Sequence, residues 1–194
     1  MPLDAYSDLA DDALLALYLL NDEAAASSLT ARLTPRIFRH AVRVLGDRAE
    51  AEDVTQEAMM RLWKIAPDWR KGEAKVSTWL YRVTANLCTD QLRRKRGVGL
   101  DEVDEPLDPG PSVTDQLQTR ERMHALQVGL QTLPERQRQA VILRHIEGLA
   151  NPEIAEILEI STEAVESLTA RGKRALAQAL APAREELGYE DDNI

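Results

Sequence analysis

The segment from Val76 to Arg96 constrains the fold more than any other part of the chain, because it fits a single helix with two different faces. At about 100° per residue, one side of this helix is an apolar stripe made of Val76, Leu80, Val83 and Leu87. A polar stripe beside it comprises Arg82, Asn86, Thr89 and Arg93. The segment therefore predicts a helix that packs on a core with one side and presents polar groups on the other.

Four consecutive cations end this segment: Arg93, Arg94, Lys95 and Arg96. Lys and Arg side chains neutralise phosphates, and exposed aromatic rings such as Trp79 and Tyr81 give an unpaired base a surface on which to stack. The pattern favours contact with nucleic acid. The alternative is a solvated surface helix whose basic end complements the helix dipole.

The charge of the chain is unevenly distributed. The formal net charge is −9, which by itself argues against a nucleic-acid ligand. Residues 61–99, however, hold ten Lys or Arg against three acids, whereas residues 1–30 and 100–119 contain acids and no Lys or Arg. Because exposed charges are screened beyond about 10 Å, a ligand on the basic segment senses mainly that segment. The net charge therefore does not exclude nucleic acid.

Helical signals continue along the rest of the chain, and no alternating strand pattern or Asn-Gly hairpin interrupts them. Asp22 and Asp47 are suited to cap the N-termini of two helices, and Gly46 suits a left-handed residue between them. Pro35 predicts a kink or restart within the first of these helices, and Pro67 predicts the end of the second. The fold class expected is all-α.

Residues 97–114 are rich in Gly, Pro and acids, which is the composition of an acidic flexible linker. They divide the chain into two small helical domains, 1–96 and 115–194, the second ending in an acidic tail. Fully extended, the linker spans at most about 60 Å, or roughly 18 base-pair steps. The two domains could therefore contact DNA more than one helical turn apart.

The second domain has the pattern of a helix-turn-helix. Pro152 lies in the first turn of a short helix, and Ser161 caps the long helix that follows. In such units the second helix lies in the major groove with its N-terminal half towards the bases. The side chains expected near base edges are Thr162, Glu163, Glu166, Ser167 and Thr169, and those expected at phosphates are Arg171, Lys173 and Arg174.

Enzymatic chemistry is not expected. The three histidines, His40, His124 and His145, are scattered, and no nucleophile, phosphate loop or metal-ligand spacing occurs, so no cofactor is predicted. The single cysteine, Cys88, excludes an internal disulfide and is expected to be a small buried hydrophobe. No apolar run is long enough for membrane insertion and the N-terminus does not resemble a signal peptide, which favours the cytoplasm.

Several motifs, in a fixed order, resemble those of bacterial RNA polymerase sigma factors. Residues 47–57, followed by Arg61-Leu62-Trp63 and by residues 77–82, resemble conserved region two. Residues 133–138 and 148–155 resemble region four. With only these two regions, the chain resembles the small extracytoplasmic-function (ECF) group. The resemblance covers roughly residues 20–96 and 115–180.

This resemblance implies a sigma factor that directs promoter-specific transcription initiation, responds to stress or another signal, and is held by an anti-sigma factor. Core RNA polymerase would bind a helix that carries Asp53, Gln56, Glu57 and Arg61. The minus-ten element of promoter DNA would be read and melted by Trp69, Arg82, Asn86, Arg93, Arg94, Lys95 and Arg96, with Trp79 packed in the core instead. The helix-turn-helix would read the minus-thirty-five element.

One departure from the family pattern concerns the recognition helix. Glu166 and Leu168 stand where relatives commonly have Lys and Arg, which weakens the phosphate contacts. Glu166 can accept a hydrogen bond from cytosine N4, or it can pair with an Arg of its own helix.

Two other functions compete with this hypothesis. A sigma-like decoy would bind an anti-sigma protein without engaging DNA, but the intact cation run and the complete second domain argue against it. An autonomous helix-turn-helix regulator would leave Asp53, Gln56 and Glu57 without a purpose.

Overall fold

The computed structural model describes residues 6–69, 75–98 and 115–186, and within these ranges it contains helices and no strand, as predicted. The first domain consists of α1 (Asp11–Tyr18), α2 (Glu23–Leu45), α3 (Arg48–Ile65) and α4 (Val76–Val98). The second consists of α5 (Asp115–Gln131), α6 (Glu135–Val141), α7 (Asn151–Leu158) and α8 (Thr162–Glu186). A 3-10 turn, Ala66–Asp68, follows α3, and a π-helical turn, Ile142–Ile146, extends α6. Of the predicted linker, residues 99–114 lie outside the described ranges.

The predicted helix ends in the first domain are confirmed. The Asp22 carboxylate accepts hydrogen bonds from the backbone N–H groups of Ala24 and Ala25, and Asp47 accepts one from the N–H of Glu50. Gly46 closes α2 in the left-handed conformation, with φ of 76°. These ends depend on local hydrogen bonds within four residues, which explains why the sequence predicts them well.

Of the two alternatives predicted at Pro35, the restart is wrong, because α2 runs through this residue from Glu23 to Leu45. Pro35 lies on the exposed side of the helix, where water can replace the backbone hydrogen bond that proline removes. Leu29, Leu33 and Ile37 are buried on either side of it. Their burial favours a continuous helix by more than the roughly 3 kcal/mol that an internal proline costs.

The buried face of α4 is wider than the predicted stripe. Val76 and Leu80 are buried as expected, whereas Val83 and Leu87 are only half-buried. The predicted exposure of Tyr81 is wrong, because the residue is only 2% exposed, whereas Cys88 is fully buried as predicted. The extra buried residues lie on the side of α4 that the second domain covers.

The two domains pack against each other and share their cores. One cluster joins Leu80 and Tyr81 of the first domain to Ile154 and Ile157 of the second. Another joins Cys88 and a group of α2 residues to a second-domain set comprising Leu130, Leu133, Val141 and Ile142. Without DNA the two domains are thus in contact, and the separation on DNA that the linker length would allow stays a prediction.

The helix-turn-helix is present at α7 and α8. Ala150 is the N-cap of α7, and its N–H donates to the Glu153 carboxylate over 3.1 Å. Ser161 caps α8 as expected, because its hydroxyl accepts a hydrogen bond from the N–H of Ala164. Gly172 lets α8 approach α6 so closely that a β-carbon there would lie 2.6 Å from Val141 Cγ2. These contacts position the N-terminal half of α8 at the surface.

Candidate nucleic-acid interface

The predicted polar side of α4 reaches the surface. Asn86 and Arg93 are exposed, and Arg82 is half-buried beside them. The guanidinium of Arg93 lies 3.8 Å from the carboxylate of Asp90, one turn earlier. Exposed pairs of this kind are worth about 1 kcal/mol or less, so a phosphate can displace the carboxylate. The structure brings these three side chains together on one flank of the helix.

The four cations at the end of α4 have different partners. Lys95 Nζ lies 2.9 Å from Glu50 and 3.3 Å from Asp47, both at the start of α3. Arg96 donates a 3.0 Å hydrogen bond to Glu135 of the second domain. Arg94 is exposed. Counting Arg93 beside Asp90, three of the four predicted phosphate-binding cations therefore lie next to carboxylates of the same chain.

Trp69 is the ring expected to stack on a base, and Trp79 is the ring expected in the core. The two rings are in contact with each other. The rings of Trp69 and Trp79 meet edge to face, with centroids 5.8 Å apart, and both residues are half-buried. The packing expected for Trp79 is present, and Trp69 packs against the same cluster. Residues 70–74 of the loop between them lie outside the described ranges.

The predicted polymerase-binding residues lie on the exposed side of α3. Asp53 and Gln56 are exposed, and the Glu57 carboxylate accepts a 2.7 Å hydrogen bond from Arg61. Beside them, α2 and α3 form a cavity of about 540 Å³. Of its lining residues, the sequence motifs indicate only Gln56 and Trp63. The full lining comprises Thr34, Phe38, Arg48, Glu52, Thr55, Gln56, Met59, Met60 and Trp63. The arrangement is an apolar groove with carboxylates and an amide at its rim.

Side chains hold the shape of this groove. Trp63 packs edge to face on Tyr18, with ring centroids 4.9 Å apart, and the Arg48 guanidinium lies 5.4 Å from the centre of the Phe38 ring. Met60 is 57% exposed, an unusual position for a large apolar side chain. Phe38 and Met60 are separated by 22 positions, and only the packing of α2 on α3 shows that they share one surface.

The predicted base-reading residues of α8 are accessible. Glu163, Glu166 and Ser167 are exposed, and Thr162 and Thr169 are half-buried. The cations Arg171, Lys173 and Arg174 are exposed further along the helix. Glu166 accepts a hydrogen bond of 3.4 Å from the amide of Asn151, rather than pairing with an Arg of its own helix. Its carboxylate is thus held next to the start of α7.

A second group of functional candidates, which the sequence patterns do not indicate, lies where the domains meet. Glu147 accepts a 2.8 Å hydrogen bond from the hydroxyl of Tyr81 and lies 3.3 Å from the guanidinium of Arg43. Burial, together with the hydrogen bond to Glu147, raises the pKa of the Tyr81 hydroxyl. One sequence signal could have indicated a partner for the second domain. Arg138 falls among the apolar core positions of α6, where an unpaired cation would be costly.

The buried titratable groups do not form a reactive site. Burial lowers the pKa of His40 to about 3, and it raises the pKa of the Cys88 thiol to about 12. The imidazole is therefore neutral and the thiol protonated at neutral pH. Within the described ranges, no three His, Cys, Asp or Glu residues are arranged to hold a metal ion, and no helix has the length and apolar character to span a membrane.

The chain matches known proteins along both domains. Residues 29–98 match the family model for Sigma-70 region 2, and residues 123–176 match the model for Sigma-70, region 4. The ECF RNA polymerase sigma factor SigW of Bacillus subtilis is 31% identical over 156 residues, which cover 75% of this chain and 83% of SigW. SigM of Mycobacterium tuberculosis is 31% identical over 170 residues, covering 88% of this chain and 84% of SigM.

Some relatives are longer than this chain. SigE of Mycolicibacterium smegmatis is 34% identical over 167 residues, and the match covers 82% of this chain but only 64% of SigE. The chain therefore spans slightly less than two thirds of that relative.

Two solved structures share the fold. RpoE from Bartonella quintana, solved in complex with the anti-sigma factor NepR, has a TM-score of 0.66 and 22% identity, covering 78% of this chain and 93% of RpoE. CnrH, solved in complex with the cytosolic domain of CnrY, has a TM-score of 0.67 and 23% identity, covering 90% of this chain and 99% of CnrH. At these identities the similarity is one of fold.

Proposed function

Because this chain belongs to the ECF sigma factors of bacterial RNA polymerase, we propose that it binds the core enzyme and directs it to a specific class of promoters. The observation that carries this proposal is the combination, in one chain, of an exposed docking helix, a basic α4 flank and a helix-turn-helix. In the proposed division, residues 1–96 form a domain that binds polymerase and opens the promoter. Residues 97–114 form a linker, and residues 115–194 form the domain that reads the minus-thirty-five element.

Polymerase binding is assigned to the exposed side of α3 and the groove beside it. Asp53, Gln56, Glu57 and Arg61 would form the polar rim, and the rings and thioethers of Trp63 and Met60 would be the apolar contact. An amphipathic helix with basic side chains on the polymerase fits this surface, because it can bury its apolar face in the groove while its Arg residues pair with the carboxylates. Buried aromatic and Met side chains commonly dominate the energy of such interfaces.

Promoter opening is assigned to α4. Unstacking a base costs a few kcal/mol, and polar groups next to a basic helix end can offset this cost. Arg82, Asn86 and Arg93 supply the polar groups, and Arg94 to Arg96 supply phosphate contacts. Trp69 would be the stacking ring, which requires it to leave its edge contact with Trp79.

Reading of the minus-thirty-five element is assigned to the exposed start of α8. Thr162, Glu163, Glu166 and Ser167 would face base edges, and Arg171, Lys173 and Arg174 would bind phosphates. We further propose that the protein works in the cytoplasm and is held by an anti-sigma factor. RpoE was solved with the anti-sigma factor NepR, and CnrH with the cytosolic domain of CnrY, which supports a protein partner of this kind.

Transcription with purified components tests the proposal. Core polymerase, the full chain and a promoter library are combined, and run-off transcripts are sequenced. We expect transcripts from one promoter class that core polymerase alone does not give. Polymerase binding without a transcript from any promoter would favour a different role, and the absence of polymerase binding would contradict the proposal.

The docking surface is tested in the same system. The double substitution Asp53→Asn with Gln56→Ala should weaken binding to core polymerase at least about tenfold. The matched control is Glu121→Gln, which removes an exposed charge from α5 and should bind like the wild type. If the wild type, the double variant and the control bind core polymerase with equal affinity, the docking site lies elsewhere on the chain.

A further inference from the structure

Glu166 places a negative charge on the part of α8 that is proposed to face DNA. It is the fifth residue of the helix, within the N-terminal half that faces base edges in helix-turn-helix units, and it is exposed. DNA phosphates repel a carboxylate whatever the base sequence. A carboxylate at this position is therefore compatible with DNA binding where it meets a hydrogen-bond donor on a base.

No cation of its own helix neutralises Glu166. The side chains one turn away in either direction are those of Thr162, Glu163, Thr169 and Ala170. Further along α8, Arg171 and Arg174 each donate through Nε to the carbonyl oxygen four residues earlier. Across the described part of the chain, Glu166 forms no ion pair with a Lys or Arg. The intrahelical pair that the sequence left open is thus not formed, and the carboxylate can accept a hydrogen bond from DNA.

Asn151 holds this carboxylate from the other helix of the motif. Its side-chain amide, at the first residue of α7, donates to Glu166 Oε1 over 3.4 Å, across 15 positions of sequence. A long hydrogen bond at the surface adds little stability, so its main effect is on the orientation of the side chain. The start of α7 is itself fixed, because the Glu153 carboxylate binds the N–H of Ala150. Oε2 of Glu166 remains to accept from a base, since a carboxylate has two accepting oxygens.

The other carboxylate of this surface, Glu163, is used within the protein. It lies in the first turn of α8, where a negative charge complements the helix dipole. Hydrogen bonds from its own backbone N–H and from the hydroxyl of Ser161 lower its pKa, so these contacts favour the charged form. The two carboxylates are only three positions apart but have different surroundings. Of the two, Glu166 is the one whose contacts leave it directed by α7 and available to a base.

The four bases differ in how their major-groove edges meet a carboxylate, which only accepts hydrogen bonds. Cytosine presents the N4 amine, a donor, and no acceptor. Guanine presents O6 and N7, and thymine presents O4, all of which are acceptors and repel a carboxylate. Adenine has the acceptor N7 beside its N6 donor, so attraction and repulsion partly cancel. The expected order of preference is cytosine, then adenine, with guanine and thymine last.

We propose that Glu166 makes this chain select a cytosine at one position of the minus-thirty-five element, and that Asn151 is the positioning residue that directs the carboxylate to the cytosine amine. The inference rests on the proposed function, because it names the base that the minus-thirty-five surface reads. It also gives the departure from Lys and Arg at this position a purpose. Weaker phosphate binding accompanies stronger discrimination between bases.

A promoter library tests the choice of base. Core polymerase and the full chain transcribe templates with a fixed minus-ten element and a randomised minus-thirty-five region, and the productive templates are sequenced. At one position on one strand, we expect the wild type to enrich cytosine at least about fivefold over guanine and thymine. In Glu166→Gln the preference at that position should move to adenine, because a Gln amide pairs with both N6 and N7 of adenine.

A charge-matched control separates base reading from a general gain in affinity. Glu121→Gln removes the same charge from an exposed position of α5 and should keep the base preferences of the wild type. Loss of a negative charge by itself raises the yield from all templates alike and leaves their ranking unchanged. If Glu166→Gln and the wild type show the same preference at every position, Glu166 reads no base and the proposal is overturned.

Asn151→Asp tests the positioning role with almost no change in side-chain size. An acid at the first residue of α7 suits the helix dipole, so the helix start is retained, but the amide donor becomes a carboxylate that repels Glu166. The cytosine preference should fall at least about threefold. In a Glu166→Ala background the same substitution should leave the base preferences unchanged, because no carboxylate remains to be directed. Equal effects in both backgrounds would assign Asn151 a purely structural role.

A second measurement separates failure of the inference from failure of the proposed function. No transcript from the wild type on any template would overturn the proposed function. The full chain is then mixed with the same randomised duplexes without polymerase, and the bound DNA is recovered and sequenced. Enrichment of a cytosine that depends on Glu166 would support the base contact without a sigma role, and its absence would overturn the base contact as well.

Discussion

The guanidinium of Arg138 donates a hydrogen bond of 2.5 Å to the carbonyl oxygen of Val44, 94 residues earlier in the chain. The same side chain donates to the carbonyl oxygens of Gln131 and Leu133, at the end of α5. One buried cation thus serves the C-terminal ends of two helices from different domains. Burial lowers the pKa of Arg138, yet an arginine remains charged because its ordinary pKa is far above neutral.

Replacing this cation should destabilise the chain. Arg138→Met keeps most of the side-chain volume but leaves carbonyl oxygens of both helix ends without a donor. We expect the free energy of unfolding, measured with urea, to fall by about 2–4 kcal/mol. Arg136→Met, at an exposed position of the same helix, is the control and should change it by less than about 0.5 kcal/mol. Equal effects would refute the role assigned to Arg138.

His40 should make stability depend on pH. Its ring is fully buried, meets Tyr81 edge to face at 5.2 Å, and has no hydrogen-bond partner for either nitrogen among the described residues. Burial, aided by the charge of Arg43, lowers its pKa from 6.5 to about 3. Between these values the unfolded chain binds a proton and the folded chain does not, so acid favours unfolding.

The expected effect of His40 is a loss of about 1.4 kcal/mol in unfolding free energy per pH unit as the pH falls from about 6.5 towards 3. In the variant His40→Leu, the slope of unfolding free energy against pH should be smaller by this amount over the same pH range. His124→Leu, at an exposed position, should retain the wild-type slope. Carboxylates titrate in all three proteins, so the difference between the profiles isolates His40.

Asn86→Ala should impair promoter opening and spare polymerase binding. The side chain is exposed on the proposed DNA flank of α4 and lies on a different helix from the docking residues. We expect reactivity of unpaired thymines to permanganate to fall about tenfold on a duplex promoter. On a template with a preformed bubble the variant should work normally. An equal defect on both templates would assign Asn86 a role other than opening.

Gly172→Ala should destabilise the second domain, although alanine is the better helix former by about 1 kcal/mol. The added β-carbon would lie 2.6 Å from Val141 Cγ2 and 3.1 Å from the carbonyl oxygen of Gln137. We expect a net loss of about 1–3 kcal/mol in unfolding free energy, measured by urea titration. The double variant with Val141→Ala should lose less than the sum of the two single losses, because the smaller side chain relieves the clash. Strict additivity would contradict this contact.

Features that depend on neighbouring residues were predictable. The caps at Asp22, Asp47 and Ser161 and the left-handed Gly46 follow from hydrogen bonds and backbone sterics within a few positions. The all-α fold, the helix-turn-helix and the exposed face of α3 follow from helical periodicity in the same way. For the polar flank of α4, helical periodicity alone predicts that Asn86 and Arg93 reach the surface.

Features that depend on distant partners were not predictable. Pro35 is tolerated because residues far along the chain bury α2 on both sides of it. Tyr81 is buried because Glu147 and its neighbours cover it, and nothing within its own helix indicates this. The groove beside α3 needs Phe38 from α2 as well as Met60 from α3.

The sequence by itself determined the all-α fold, the caps at Asp22, Asp47 and Ser161, the two-domain division and the exposed polar flank of α4, because these follow from local hydrogen bonding and periodicity. Only the tertiary structure decided that the second domain lies along α4, with Glu135 on Arg96 and Arg138 on the end of α2. These contacts join residues separated by dozens of positions. Their formation depends on complementary surfaces and on desolvation of paired charges, neither of which a one-dimensional pattern records.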